Sequence, residues 1–263
     1  MSALLDISDL GIAFGGIKAV DGVSFAVRPG EIVSVIGPNG AGKTTLFNMI
    51  SGLYRPSQGH VRLDGRDITA MEPHLLARLG LSRTFQNLQL FGDMTLLENV
   101  MVGHHLRERA HVLPDLFALP SSRRSTRASA DNALALLRRV RLDKGAYREA
   151  RAMSYGALKR LEIARALALE PRILLLDEPA AGCNAVETAE IDELIAEVAA
   201  SGVAILLVEH DMKLVMKISA HIVVLDHGRK IAEGAPAEVA RDPQVIAAYL
   251  GQHGQDQVLH AER

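Results

Sequence analysis

The chain has 263 residues, of which 48% are hydrophobic and 23% charged. This composition is typical of a globular protein and too apolar for a disordered one. Its length suits one or two domains with a sizeable buried core. Lys and Arg number 29 against 31 Asp and Glu, a net charge of −2, which argues against nucleic acid as the main partner. A single cysteine excludes a disulfide framework and a multi-cysteine zinc site.

The N-terminal segment and the hydropathy pattern predict where the protein resides. The first residues include no basic region, and Asp6 and Asp9 interrupt the apolar stretch, so we expect no signal peptide. No run of about 18 apolar residues is present that would span a bilayer. We therefore expect a soluble, cytoplasmic chain.

The first third of the chain has the pattern of short strands joined by turns. Residues 23–27 end at the turn pair Pro29-Gly30, and the apolar strand 32–36 follows at once. Residues 60–63 run into Asp64-Gly65, a pair that is typical of a β-hairpin.

The middle of the chain is predicted to be helical. Thr95 and Glu98 have the spacing of a capping box at a helix start. Residues 128–140 keep helical spacing of apolar positions, and 113–127, with two prolines, a serine pair and a basic cluster, are predicted to form an exposed loop.

After Ser154 the pattern alternates between helices and buried strands. Residues 158–169 are predicted to be helical, 173–176 and 203–208 are continuous apolar runs, and 223–233 are predicted to form a terminal hairpin. Helical spacing between the two runs is carried by Ile191, Leu194, Ile195 and Val198. Strands that are buried on both faces and separated by helices indicate a parallel sheet.

Residues 37–44 match the phosphate-loop pattern G-x-x-x-x-G-K-[ST]. Backbone N–H groups of such a loop surround phosphate oxygens, and the following helix adds its positive end. Lys43 would reach the β- and γ-phosphates, and the Thr44 hydroxyl would bind Mg²⁺. The alternative is a plain glycine-rich turn, but an apolar strand before and a helical pattern after it favour nucleotide binding. The expected nucleotide contacts are Gly37, Pro38, Asn39, Gly40, Ala41, Gly42, Lys43, Thr44 and Thr45.

Two carboxylates, Asp177 and Glu178, follow the apolar run 174–176. Ligands of open α/β sheets collect at the carboxyl ends of strands. Asp177 suits an Mg²⁺ contact through water, and Glu178 suits a base that polarises the attacking water. The alternative is two surface acids in a turn, but beside a phosphate loop the pair favours a nucleoside triphosphatase.

Residues 153–157 and 160–167 resemble the signature motif of ATP-binding cassette (ABC) proteins, and they precede the acidic strand as in that family. His210 is similar to the family's switch histidine, and Gln86 to its Q-loop glutamine, which also contacts the metal. Phe14 lies where the family stacks an aromatic ring on adenine. The resemblance implies that ATP and Mg²⁺ are bound.

The resemblance implies an α/β fold of the P-loop NTPase class. Its core would be a mostly parallel sheet, with an N-terminal antiparallel β subdomain and a helical signature subdomain. Residues 1–251 would form one ATPase domain, with the helical subdomain at about 87–165, and 252–263 a polar C-terminal tail.

In the family the phosphate loop and the signature motif belong to different active sites, which implies a head-to-tail dimer with two ATP molecules between the subunits. Ser154 and Gly156 would then meet the γ-phosphate that Lys43 of the second subunit binds. The resemblance implies a catalytic set of Glu178, His210, Lys43 and Gln86. It implies a metal set of Thr44, Gln86 and Asp177.

Several segments narrow the resemblance to the ATPase subunit of branched-chain amino acid importers. They are 14–20, 83–87, 98–103, 177–182, 208–212 and 228–234. This implies a bacterial inner-membrane importer with two membrane permease subunits, a second ATPase subunit that is identical or a close paralogue, and indirectly a periplasmic solute-binding protein. The cassette would lie at the cytoplasmic face, with residues 83–103 as its docking surface and no nucleic acid partner. Relatives also serve urea, amides and small organic acids, so the solute stays open.

Four positions need comment against the family pattern. Ala157 replaces the usual Gln of the signature, which predicts weaker contacts across the dimer. Met153 replaces Leu, a conservative change, and Asn184 holds the D-loop position that is usually Asp. Cys183 is either a small apolar filler or a site where oxidation inhibits dimer closure.

Three other functions are compatible with a cassette sequence. A soluble ATPase of DNA repair or translation usually has two cassettes or a long coiled-coil insertion, and this chain has neither. A cassette that binds ATP without turnover is disfavoured by Lys43, Asp177, Glu178 and His210. An exporter ATPase of the lipopolysaccharide type shares the single-cassette plan and is the nearest transport alternative.

Overall fold

The computed structural model describes residues 3–85, 87–104 and 120–249, with only the backbone for 120–126. The strands are β1 (Leu5–Phe14), β2 (Ile17–Val27), β3 (Ile32–Ile36), β4 (Gln58–Leu63), β5 (Arg66–Asp67), β6 (Leu81–Arg83), β7 (Ile173–Asp177), β8 (Ala204–Val208), β9 (His221–Asp226) and β10 (Arg229–Gly234). The α-helices are α1 (Lys43–Ile50), α2 (Pro73–Arg78), α3 (Leu96–His104), α4 (Pro120–Arg139), α5 (Tyr155–Leu167), α6 (Ala185–Ala200), α7 (Met212–Ile218) and α8 (Pro236–Val239). Residues 243–249 are also helical. No helix in these ranges is long and apolar enough to span a membrane.

A six-stranded sheet in the order β10-β9-β3-β8-β7-β6 forms the centre of the fold. Its neighbouring strands are parallel except β9 and β10, which pair antiparallel. Every residue of β3, β7 and β8 is buried, because the sheet is covered on both faces. The parallel sheet and the terminal hairpin predicted from the sequence are confirmed.

The two faces of the central sheet pack against different layers. A four-stranded antiparallel sheet in the order β2-β1-β4-β5 lies with α1 on one face. On that side Leu175 and Leu206 share a core with Phe47. Leu174 and Leu207 point to the opposite face and join the core formed with α3, α4, α5 and α6, as the alternation of side chains along a strand requires.

Helices α3, α4 and α5 form the helical layer, and α3 begins with the predicted capping box. Glu98 accepts hydrogen bonds from the Thr95 backbone N–H and hydroxyl, both at 2.8 Å, and the Glu98 N–H donates to Thr95 Oγ1 at 3.1 Å. Leu137 and Val140, two of the apolar positions predicted for the second helix, are buried.

The prediction of an exposed loop over 113–127 is wrong from residue 120 onward. The described chain is helical from Pro120 to Arg139, as helix α4. Arg123, Arg124 and Arg127 have good helix propensity. They therefore allow the helix to include residues N-terminal to its buried positions, such as Ala133 and Leu137. Residues 113–119, the predicted tail 252–263 and Gln86 lie outside the described residues.

Candidate functional site

The predicted phosphate loop connects β3 to α1, and two of its glycines are required by their surroundings. Gly37 has φ +149°, and a Cβ there would lie 2.1 Å from the carbonyl oxygen of Leu225 in β9. Gly42 has φ +98°, and a Cβ there would lie 2.5 Å from the carbonyl oxygen of Ala19 in β2. The loop is therefore fixed between strands of both sheets, with backbone N–H groups in a conformation that only glycine adopts easily.

Lys43, the first residue of α1, folds back over the loop. Its Nζ donates to the carbonyl oxygens of Gly37 at 2.6 Å and Pro38 at 2.9 Å. Burial lowers the pKa of Lys43, and the carboxylates of Glu178 and Asp177 oppose this shift. The ammonium group thus lies on the phosphate loop, within electrostatic range of the acidic pair.

A cavity of about 550 Å³ opens at the phosphate loop. Its wall consists of the loop residues 39–45, residues 17–19, Glu178, and His227 with Gly228 from the β9–β10 turn. Cavities of this volume hold small molecules and cofactors. Of the described residues predicted to contact nucleotide, Gly37, Pro38, Phe14, Ser154 and Gly156 lie outside this wall. The Phe14 ring is about half exposed and packs edge-to-face on Tyr54, with centroids 5.5 Å apart.

Asp177 ends β7 and is held by Arg83, a residue to which sequence reasoning assigned no role of its own. Arg83 Nη2 donates to Asp177 Oδ2 at 2.9 Å, while Nη1 donates to Asn48 and Ser51, both at 2.7 Å. Burial raises the pKa of the Asp177 carboxyl, and the guanidinium opposes this rise. The signal in the sequence was a charged residue, Arg83, at the end of a short strand. Because this strand, β6, pairs in parallel with β7, its end lies beside Asp177.

Glu178 and His210 approach each other from neighbouring strand ends. Glu178 has φ +49°, and its backbone N–H donates to the carbonyl of Val208 at 2.9 Å. His210 Nδ1 lies 3.9 Å from Glu178 Oε1, and the histidine side chain is 65% exposed. The structure thus places the predicted base at the cavity wall with the predicted switch histidine beside it.

A second carboxylate, Glu209, lies beneath this pair and was not selected from the sequence. It is 2% exposed, and it accepts hydrogen bonds from the backbone N–H groups of Ala180 at 3.4 Å and His210 at 3.2 Å. Burial raises its pKa, and these hydrogen bonds oppose the rise. Glu209 therefore ties the segment after Glu178 to the segment that carries His210. Its signal in the sequence is an acid directly after a fully apolar strand.

Ser154 and Gly156 lie at the start of α5 and, although both are described, neither lines the cavity. Ser154 is the N-cap and accepts a hydrogen bond from the Ala157 N–H at 3.3 Å. Its own hydroxyl donates to Glu187 at 2.9 Å. The cavity at the phosphate loop therefore does not include the signature residues of the same chain.

The other departures from the family pattern have structural roles. Met153 packs against the helical core, and Ala157 is buried. Asn184 caps α6 by accepting from the Val186 and Glu187 N–H groups, both at 3.0 Å. Cys183 is partly buried against the same core, and burial raises the pKa of its thiol, which favours the filler interpretation because less thiolate is present.

Comparison with known proteins agrees with the geometry. The family model described as ABC transporter matches residues 20–181, and one described as branched-chain amino acid ATP-binding cassette transporter matches 229–254. The chain belongs to the ABC transporter family. This ABC chain is a nucleotide-binding ATPase with the P-loop NTPase fold, and the fold class predicted from the sequence is confirmed.

Individual relatives of this ABC chain cover nearly its whole length. The high-affinity branched-chain amino acid transport ATP-binding protein BraF of Pseudomonas aeruginosa is 48% identical, over 95% of this chain and 98% of its own. LivG of Escherichia coli K12, with the same description, is 45% identical at the same coverage. The lipopolysaccharide export system ATP-binding protein LptB of Acidithiobacillus ferridurans is 37% identical over 95% of this chain and 98% of its own.

Solved structures of cassettes match the same fold. A crystal structure of an ATP-binding cassette in its ADP conformation superposes with a TM-score of 0.83 at 33% identity, covering 95% of this chain and all of that one. A nucleotide-free cassette gives 0.82 at 33% identity, covering 94% and 99%.

Proposed function

We propose that this cassette hydrolyses ATP to power uptake of branched-chain amino acids, or a related small polar solute, across the bacterial inner membrane. The observation that carries the ATPase part is the placement of Glu178 and Lys43 at one cavity. The solute class is supported by the 48% and 45% identity to two transport proteins for branched-chain amino acids. The exporter relative is less similar, at 37%.

ATP would bind with its phosphates in the loop 37–45, where Lys43 supplies the positive charge. Phe14 would stack on adenine, since its ring is half exposed at the end of β1, just before the turn into β2. The Thr44 hydroxyl and the carboxylate of Asp177, with Gln86, offer the hard oxygen donors that suit Mg²⁺. When bound, this ion would neutralise phosphate charge during the reaction.

Hydrolysis would use Glu178 as the base that accepts a proton from the attacking water while the water oxygen bonds to the γ-phosphorus. The bond from the γ-phosphorus to the oxygen that bridges it to the β-phosphate breaks, so that ADP leaves with the electron pair and phosphate is formed. His210, 3.9 Å from Glu178, would orient the γ-phosphate and this water. Lys43 and Gln86 would complete the catalytic set, Lys43 by stabilising negative charge on the leaving ADP.

The complete site would form between two cassettes. Ser154 and Gly156 of one subunit would complete the anion site at the phosphate loop of the other, because a single chain leaves them outside its own cavity. We propose that residues 1–251 act as one ATPase domain, with the helical subdomain at about 87–165 and a polar tail over 252–263.

The docking surface for the permease subunits would be residues 83–103. Phe85 and Phe91 are exposed there and line a cavity of about 570 Å³ together with Glu162 and Arg165. Glu162 is buried and accepts a hydrogen bond from the Phe85 N–H at 3.3 Å, so movement of this segment would reach α5. Through this surface the cassette would attach peripherally to the cytoplasmic face of two permease subunits, with the periplasmic solute-binding protein as an indirect partner.

Co-purification from detergent-solubilised membranes of the host tests the transport function. We expect the tagged cassette to retain two polytopic membrane proteins, identified by mass spectrometry. The Phe91→Asp variant should lose them, whereas Ile246→Asp, which adds a charge at an exposed apolar residue outside 83–103, should not. Recovery of soluble partners alone, or of lipopolysaccharide-export proteins, would contradict the proposed function.

A further inference from the structure

Glu187, near the start of α6, places its carboxylate on the donors of the signature segment. Its Oε1 accepts hydrogen bonds from the Ser154 hydroxyl at 2.9 Å and the Gly156 backbone N–H at 3.2 Å. Its Oε2 accepts from the backbone N–H of Asn184 at 3.3 Å and from Asn184 Nδ2 at 3.0 Å. A carboxylate of the same chain therefore occupies the end of α5 that would face a phosphate across the dimer.

The contact between Glu187 and α5 is close. A Cβ at Gly156 would lie 2.4 Å from the Glu187 carboxyl carbon, so no side chain fits at this position while Glu187 is in place. The hydrogen bond from Ser154, followed by that from Asn184, lowers the pKa of Glu187. The group on the donors is thus an anion, held by the positive end of a helix.

The Ser154 hydroxyl and the Gly156 amide cannot serve Glu187 and a phosphate at the same time. A serine hydroxyl and a backbone amide each donate one hydrogen, and Glu187 accepts both. A phosphate oxygen can take these donors only after the carboxylate leaves, and two anions side by side at this point would repel each other.

We propose that Glu187 is an internal counter-anion that occupies the Ser154 and Gly156 donors of the open cassette, and that nucleotide on a second cassette must displace it for the dimer to close. This inference rests on the proposed head-to-tail dimer. Closure is then an exchange of one anion for another on α5. The strength of the Glu187 hydrogen bonds then sets the ATP concentration at which the exchange occurs. In a single cassette, the Ser154 and Gly156 donors stay bonded to Glu187.

Dimerisation of the full-length chain at increasing ATP concentration tests the inference. A Glu178→Gln background slows hydrolysis, and sedimentation velocity measures the dimer fraction. We expect Glu187→Ala to lower the ATP concentration for half-dimerisation about tenfold, the factor that corresponds to one released hydrogen bond to a charged group. Glu187→Gln should lower it less, because the amide oxygen still accepts a hydrogen bond.

The matched control is Glu238→Ala. Glu238 also lies in the first turn of a helix and accepts from the Ala235 N–H at 3.0 Å, but α8 does not carry the signature segment. This variant should leave half-dimerisation unchanged, and binding of a fluorescent ATP analogue to the monomer should be the same in all variants.

The outcomes separate the inference from the function on which it rests. An unchanged or higher ATP requirement in Glu187→Ala, with analogue binding retained and folding verified by thermal unfolding, would overturn the counter-anion role. An unsubstituted Glu187 chain that binds the analogue but never dimerises in the Glu178→Gln background would overturn the head-to-tail site, and the inference with it.

Discussion

At the scale of single residues, the Arg83–Asp177 pair is the most buried charged contact described beside the candidate site, with side chains only 7% and 4% exposed. Removal of one partner leaves a buried charge without compensation, which typically costs about 3–5 kcal/mol. We expect Arg83→Ala to lower the free energy of unfolding by that amount in urea. Arg172→Ala breaks the exposed 3.0 Å pair with Asp64 and should cost about 1 kcal/mol or less. Equal losses in the two variants would contradict the structural role of Arg83.

Glu209 and Glu98 predict opposite effects of pH on stability. Burial raises the pKa of Glu209 above its ordinary value of 4.5, so its contribution to stability is full below 4.5 and is lost as pH rises through the folded-state pKa. Hydrogen bonds from Thr95 lower the pKa of Glu98, so its contribution is present above 4.5 and is lost as pH falls.

Urea unfolding at a series of pH values checks this pair. Relative to the unsubstituted chain, Glu209→Gln should become more stable as pH rises from 4.5 towards 7. Glu98→Gln should become less stable as pH rises through the region below 4.5. Parallel trends in the two variants would show that the burial of Glu209 does not perturb its titration.

At the scale of elements, the phosphate loop depends on its fit against β9. Gly37→Ala forces a methyl group against the Leu225 carbonyl, whereas Gly65→Ala, also at a positive φ, meets no atom within 4 Å. We expect Gly65→Ala to cost about 1–2 kcal/mol through its backbone conformation. Gly37→Ala should cost a further 1–3 kcal/mol for overpacking and weaken binding of an ATP analogue. Identical unfolding free energies would mean that the loop adapts freely.

The elements also show which features the sequence can predict. The buried strands β7 and β8, the capping box at Thr95 and the phosphate loop follow from local patterns, because apolar runs and cap spacing are determined by neighbouring residues. The start of α4 was missed, since a serine- and arginine-rich stretch after a proline has no apolar face. Arg83 and Glu187 were missed because their partners, Asp177 and Ser154, lie far away in the sequence and only the fold brings them together.

In the whole molecule, each ATP site would use the phosphate loop of one cassette and the signature segment of another. Lys43 lines the cavity at the phosphate loop, whereas Ser154 of the same chain does not and is hydrogen-bonded to Glu187. In a symmetric head-to-tail pair, the phosphate loop of each subunit would face the signature segment of the other, which gives two equivalent sites.

Complementation between two inactive variants tests whether the ATP sites are shared between subunits. Lys43→Ala removes the phosphate-loop charge, and Ser154→Asp places an anion at the signature while it keeps a good N-cap. Each variant alone should lack ATPase activity, whereas their equimolar mixture should recover it, because each mixed dimer contains one site with an intact loop and an intact signature segment. A mixture as inactive as its components, with mixed dimers verified by differential tags, would show that the two subunits do not share their ATP sites.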